Sequence, residues 1–222
     1  MGSNSHGQLG IDDAVEVKNS PVLIEKIPLQ SDCSLKLVAC GGNQSFLCTD
    51  DGQAYSWGEG KHGSLGQGTL QDQFKPEPVK LPAGVKVATL DCGLEHSAFV
   101  DIGGRLFIAG SNAKGQLGLG QIDQANLNAI EPTQVPNFSD CAKQVACGDY
   151  HSLVLSLSGL VYACGDNAGG QLGDQTRNQS ETMKLVDEIS HIPMTFVAAG
   201  SFSASISQDN KSLFLWGSGT FG

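Results

Sequence analysis

A nine-residue phrase, Gly-x-x-x-x-Gly-x-Leu-Gly, recurs along this chain as Gly2–Gly10, Gly58–Gly66, Gly110–Gly118 and Gly165–Gly173, and a further copy starts at Gly217. The lead glycines stand 52 to 56 residues apart. A repeat of this period belongs to propellers, solenoids or arrays, so the repeat constrains the fold before any single residue does.

A second marker travels with the phrase. It reads Ala39–Phe46, Asp91–Ala98, Ala146–Leu153 and Ala198–Ser205. Its glycines, Gly41, Gly93, Gly148 and Gly200, each precede the next lead glycine, Gly58, Gly110, Gly165 and Gly217, by 17 residues. From each lead glycine to the next marker glycine the count instead varies between 35 and 39. A block of constant length thus alternates with a tolerant connector. The block predicts a β-hairpin: apolar runs such as Ser152–Leu157 and Leu160–Cys164 flank Ser158-Gly159. The dipeptides Asp51-Gly52, Gly103-Gly104 and Asp209-Asn210 hold the same place in the other copies. Such pairs tolerate φ > 0 and predict two-residue hairpin turns. Near-continuous apolar strands predict sheets covered on both faces. The connector adds an edge strand opening on proline (Pro21–Ile24, Pro78–Leu81, Pro132–Val135) and a strand before each marker (Leu35–Val38, Val85–Ala88, Lys143–Ala146, Thr195–Ala198). Four strands per repeat make a propeller blade. A solenoid is the alternative, although its repeats are usually shorter and carry fewer strands. The expected fold is all-β, with about four blades of four antiparallel strands in one partial domain over residues 1–222. The repeats run approximately 2–57, 58–109, 110–164 and 165–216, with a truncated fifth motif at 217–222.

The two motifs together, [hydrophobic]-Gly-x-Asn-x-x-Gly-Gln-Leu-Gly and Cys-Gly-x-x-His-Ser, resemble the regulator of chromosome condensation repeat. The resemblance covers essentially the whole chain and implies a seven-bladed propeller. Four repeats would then form an open arc, or part of the ring, with the missing blades supplied by the rest of a parent chain or by another chain. The family's Trp before the lead glycine is matched by Trp57 and Trp216, but Ala109 and Cys164 depart from it. The marker His is present as His96 and His151, while the constant spacing places Gln44 and Ser203 in the other copies. Gln8, Gln116 and Gln171 precede Leu-Gly, where the second copy has Ser64.

Composition narrows the function. The formal net charge is −10 and no basic run occurs, which argues against direct nucleic-acid binding. No apolar stretch is long enough to span a bilayer as a helix. Cys40, Cys92 and Cys147 precede marker glycines and Ala199 takes the fourth place, so a small buried slot is expected. The odd total of seven cysteines, without CxxC pairs, fits packed thiols in a reducing compartment, and an intracellular location, cytoplasmic or nuclear, is the expectation. No metal, cofactor or catalytic constellation stands apart from the repeat. His96 and His151 recur in step with the fold, which favours a hydrogen-bonding role over a catalytic base. Leu65, Leu117 and Leu172 are expected to plug each turn between blades, and the repeated glycines to be structural. A light-absorbing role would need a cluster of tryptophans, and only Trp57 and Trp216 occur.

The expected function is a non-enzymatic scaffold that binds a protein partner through propeller-face loops. The connectors 11–37 and 119–145, with Asp12-Asp13 and Gln121–Asn128, are the places to look for contacts. The resemblance implies two further readings: guanine-nucleotide exchange on a Ran-like small GTPase, or a regulatory repeat domain within a larger kinase, ubiquitin ligase or ciliary protein.

Overall fold

The structure, a computed structural model, describes residues 1–11, 16–25, 27–29, 32–120, 127–136 and 138–218. Asp12-Asp13, Gln121–Asn126 and the end of the fifth motif therefore lie outside the described residues. A two-stranded ladder, β1 (Gly2–Ser3) and β2 (Val17–Lys18), comes first. The first full sheet holds β3 (Leu35–Gly41), β4 (Gln44–Thr49), β5 (Ala54–Gly58) and β6 (Gln73–Pro78). The second holds β7 (Val87–Cys92), β8 (His96–Asp101), β9 (Leu106–Ser111) and β10 (Asn128–Gln134). The third holds β11 (Ala142–Cys147), β12 (His151–Ser156), β13 (Val161–Gly165) and β14 (Ser180–Leu185). The last has three strands, β15 (Met194–Ala199), β16 (Phe202–Ser207) and β17 (Leu213–Gly217). Every sheet is an antiparallel meander in chain order. Each full sheet starts in one sequence repeat and takes its outer strand from beyond the next lead glycine. The arrangement is all-β propeller blades in an open arc, and no helix among the described residues is long and apolar enough to cross a membrane.

The core lies between sheets rather than within them. Phe46 of the first sheet meets Phe99 of the second edge to face, with ring centroids 5.9 Å apart. Leu117 is buried among Val100 and Ile108 of the second sheet and Val145 and Val154 of the third. Leu172 sits in the same way between Leu153 and Val161 of the third sheet and Met194 and Val197 of the last. Doubly covered strands β4, β8 and β12 are buried at every residue, whereas β16 alternates because nothing described covers its far face. Val38 on β3 and Leu213 on β17 are 76% and 63% exposed at the two ends of the arc.

Three expectations are corrected in detail. The hairpin loops of the first three full sheets contain three residues and not two. Thr49 N–H donates to Gln53 O and Gly52 N–H to Thr49 O, with Gly52 at φ +90°, a type I turn closed by a glycine bulge. Only the second residue of each dipeptide needs positive φ. Proline does not open the outer strands: β6 and β10 contain Pro76 and Pro132, which an edge strand tolerates because its outward N–H groups pair with nothing in the sheet. Pro21–Ile24 forms no strand; Ile24, with Ile27 and Leu29, covers Leu47, Tyr55 and Trp57 on the outer face of the first sheet.

The constant spacing of 17 hides a shift in the fourth copy. Cys147 pairs with Ser152, five residues on, but Ala199 pairs with Ser203, four residues on. The lost residue returns in the turn, where Ser207 N–H reaches Ser212 O rather than a residue four positions away. Phe202, opposite Gly217, therefore stands where His96 and His151 stand, and Ser203 takes the place of Ser97 and Ser152.

Successive inner strands approach so closely that the marker glycines leave no room for a side chain. A Cβ on Gly41 would lie 2.3 Å from the Cys92 carbonyl oxygen, and one on Gly93 2.2 Å from that of Gly148. On Gly148 it would come within 2.5 Å of Gly200 O, whereas Gly200 itself has nothing within 4 Å. Gly93→Ala is expected to cost about 2 kcal/mol through overpacking. Gly200→Ala, at the same repeat position, should stay within about 0.5 kcal/mol of the parent. Chemical denaturation of the two variants checks the contrast; equal losses would show that the glycine matters through its own backbone and not through the neighbouring sheet.

Candidate functional site

The repeated phrases meet at the seams, and the chemistry there is bonding between blades. The Gly-rich turn is stapled by its own amides. Asn4, Asn112 and Asn167 accept the N–H of Leu9, Leu117 and Leu172 at 2.9–3.1 Å. Gln8, Gln116 and Gln171 accept the N–H of His6, Lys114 and Gly169 at 2.8–3.0 Å. The carbonyl of the residue before Leu then receives a hydroxyl from the following sheet: Ser45 to Gln8, Ser97 to Ser64, Ser152 to Gln116 and Ser203 to Gln171, all at 2.6–2.8 Å. Trp57 Nε1–H and Trp216 Nε1–H add a second donor to Gln8 O and Gln171 O at 2.9 Å. Cys164 offers the third of these carbonyls only a long thiol contact of 3.4 Å, and Ala109 has no donor to give.

The marker histidines cross the seam in the other direction. His96 Nε2 lies 2.9 Å from Ser152 Oγ, and His151 Nε2 lies 2.9 Å from Ser203 Oγ. Both hydroxyls already donate to a carbonyl, so each must accept here, which puts the imidazole proton on Nε2. His96 Nδ1 then has no hydrogen-bond partner among the described residues. Burial, with His151 beside it, lowers the His96 pKa to about 3; burial lowers that of His151 to about 4 against the pull of Asp149 and Asp166. In the first sheet Gln44 takes this place and donates through Nε2 to Leu94 O at 3.0 Å.

Four of the seven thiols, Cys48, Cys92, Cys147 and Cys164, are buried, while Cys40 and Cys141 are exposed and Cys33 is half-buried, so the expected packing holds only in part. Cys92 and Cys147 are buried at the seams, but Cys40 is exposed, since no described sheet covers β3 on that side. Burial pushes the Cys164 thiol up to about 12 and that of Cys48 to about 11, far from thiolate reactivity. Cys33 Sγ and the carboxylates of Asp50 and Asp51 lie within 4.8 Å of one another. Those carboxylates cap backbone N–H groups of Ser34 and Gln53, as in an ordinary hairpin loop.

One opening breaks the pattern. A cavity of about 180 Å³ lies at the seam of the first two sheets, lined by Gln44, Glu59, Ser64 and Glu95 among others. The sequence carried its signal: of the four complete copies, only the second has Gly60 and Ser64 where the others have Asn and Gln.

Sheets of this kind, joined by repeated turn-to-strand bonds and lacking a catalytic constellation among the described residues, define a β-propeller repeat domain. The chain belongs to the RCC1-like domain family, which matches over residues 1–222. It is 33% identical over 190 residues to the probable E3 ubiquitin-protein ligase HERC6 of Homo sapiens, covering 85% of this chain and 18% of that protein. It is 29% identical over 230 residues to the ultraviolet-B receptor UVR8 of Arabidopsis thaliana, covering 100% of this chain and 49% of the receptor. Among solved structures it is similar to human WBSCR16, with a TM-score of 0.76 at 26% identity over 85% of this chain and 50% of that one. Yeast RCC1 (Prp20), crystallised with Kap60, gives a TM-score of 0.76 at 21% identity over 92% of this chain and 47% of that one. The chain thus spans half or less of each of these proteins.

The histidine geometry carries a pH signature. Both folded pKa values lie below the usual value of 6.5, so the neutral rings contribute stability above pH 6.5 that is lost as pH falls toward 4 and then 3. His151→Gln, which copies the side chain at Gln44, is expected to flatten this fall by on the order of 3 kcal/mol between pH 6.5 and 4. Denaturant titrations across that range check it; a parent and variant of identical slope would contradict the buried neutral imidazole.

Proposed function

We propose that this chain is a non-enzymatic scaffold segment that binds a protein partner through the variable side chains of its turn-bearing face. One observation carries this reading. The repeated polar residues bond across the seams, so recognition falls to residues that differ between copies. His62 and Glu95, 3.4 Å apart, and Lys114 with Asp166, 4.0 Å apart, are such residues. The glycines and leucines of the repeats, and His96 and His151, are assigned to structure and not to chemistry. Varied surface loops on a rigid frame are where binding residues collect.

The family match favours a second reading, guanine-nucleotide exchange on a Ran-like small GTPase. Saccharomyces cerevisiae Prp20p, which binds Gsp1p and histones, shares this fold at 23% identity and prompts the reading. A regulatory repeat domain in a larger ligase is the scaffold reading in another setting, supported by the HERC6 likeness.

Two measurements separate these readings. Release of a fluorescent guanine nucleotide from a purified Ran-family GTPase should be unchanged by this chain; acceleration of about tenfold or more, some 1.4 kcal/mol of barrier, would overturn the scaffold reading in favour of exchange. In crosslinking from cell extract, the double substitution Glu59→Lys and Glu95→Lys should remove specific partners while leaving the thermal midpoint in place. An unchanged partner set would place recognition away from this face.

A further inference from the structure

We infer that the cavity at the seam between the first and second sheets is a receptor for an arginine side chain presented by a protein partner. The inference deepens the scaffold reading and rests on it. Its origin lies in the repeat. In three turns a glutamine amide folds back over the turn and accepts the N–H of His6, Lys114 or Gly169. In the second turn Ser64 stands there, and its hydroxyl reaches only Glu59 O at 3.4 Å. Beside this shorter side chain the seam opens into the cavity of about 180 Å³.

The walls of this cavity are rich in acceptors. Gln44 lines it, is 4% exposed, and its Oε1 has no hydrogen-bond partner among the described residues. Leaving a buried acceptor without a donor is costly, and a ligand that donates would recover that cost. Glu59 is held by Asn43 Nδ2 at 3.0 Å, and Glu95 stands across the opening beside His62. Lys61 lines the same cavity as its one fixed cation. An anion would meet two carboxylates and an amide oxygen. A guanidinium instead brings five donors in a planar fork, and its weak hydration lowers the cost of entering a half-closed site. The net charge of −10 over the chain adds a long-range attraction for a basic partner.

The test uses the whole chain and three tripeptides, Ac-Ala-Arg-Ala-NH2, its citrulline counterpart and its lysine counterpart, followed by two-dimensional NMR. The arginine peptide is expected to move the Gln44 side-chain amide and the Ser64 N–H. It should bind at least about fivefold tighter than the neutral citrulline peptide, a difference of order 1 kcal/mol, as for one charge-assisted hydrogen bond. The lysine peptide, with a point charge and no fork, should fall between them. Ser64→Gln restores the side chain of the sister turns, so it should keep the thermal midpoint and weaken the arginine peptide by at least about fivefold. Equal response to arginine and citrulline, binding unaffected by Ser64→Gln, or shifts produced by inorganic phosphate in place of arginine would each overturn the proposal. None of those outcomes touches the scaffold reading, which the extract crosslinking decides by itself.

Discussion

The architecture depends on how closely one sheet can approach the next at its inner end. Gly41, Gly93 and Gly148 have no Cβ, and the carbonyls of Cys92, Gly148 and Gly200 occupy the space one would need. With the inner strands fixed at that distance, the rest of each seam follows. Phe46 reaches Phe99, Leu117 and Leu172 fill the wedge, and the serine hydroxyls arrive under the turn carbonyls. A bulkier residue at one of these glycines would strain the contacts of its own seam.

Much of this was legible in the sequence because a repeat shows the same physics several times. The asparagine and glutamine of the Gly-rich phrase recur since the turn exposes backbone donors that only side chains can satisfy. The strands before each marker could be placed from their apolar runs. The outer strands could not, because proline reads as a boundary in a sequence, while in the fold it merely sits on an edge. The fourth copy was misread for a related reason. A deletion in the marker bend and an insertion in the hairpin turn cancel in the spacing, and only the pairing of Ala199 with Ser203 separates them. That displacement keeps Ser203 under Gln171 O, because a slip of one residue would have turned the hydroxyl to the opposite face.

The candidate site was visible only as an irregularity. Ser64 and Gly60 depart from their sister turns, which marks the second turn as different but gives neither the volume nor the walls of the cavity. Gln44 and Glu95 come from other parts of the chain, and Glu59 opens the turn itself. Their convergence is a consequence of the seam. The departures at Ala109 and Cys164 are of another kind. They remove a donor from a carbonyl that a serine already satisfies, so the loss leaves no unpaired group behind.

The placement of the apolar clusters between sheets has a mechanical consequence. Each sheet is held by its immediate neighbours, so the arc behaves as a short one-dimensional lattice with coupling only between adjacent sites. Among the described residues the last sheet has one coupling, whereas the first is also held on its outer face by the N-terminal turn and by Ile24, Ile27 and Leu29. Opening should begin at β15–β17 and move inward, so the seam joining Leu117, Val145 and Val154 should exchange its amide hydrogens with solvent later than the last sheet does.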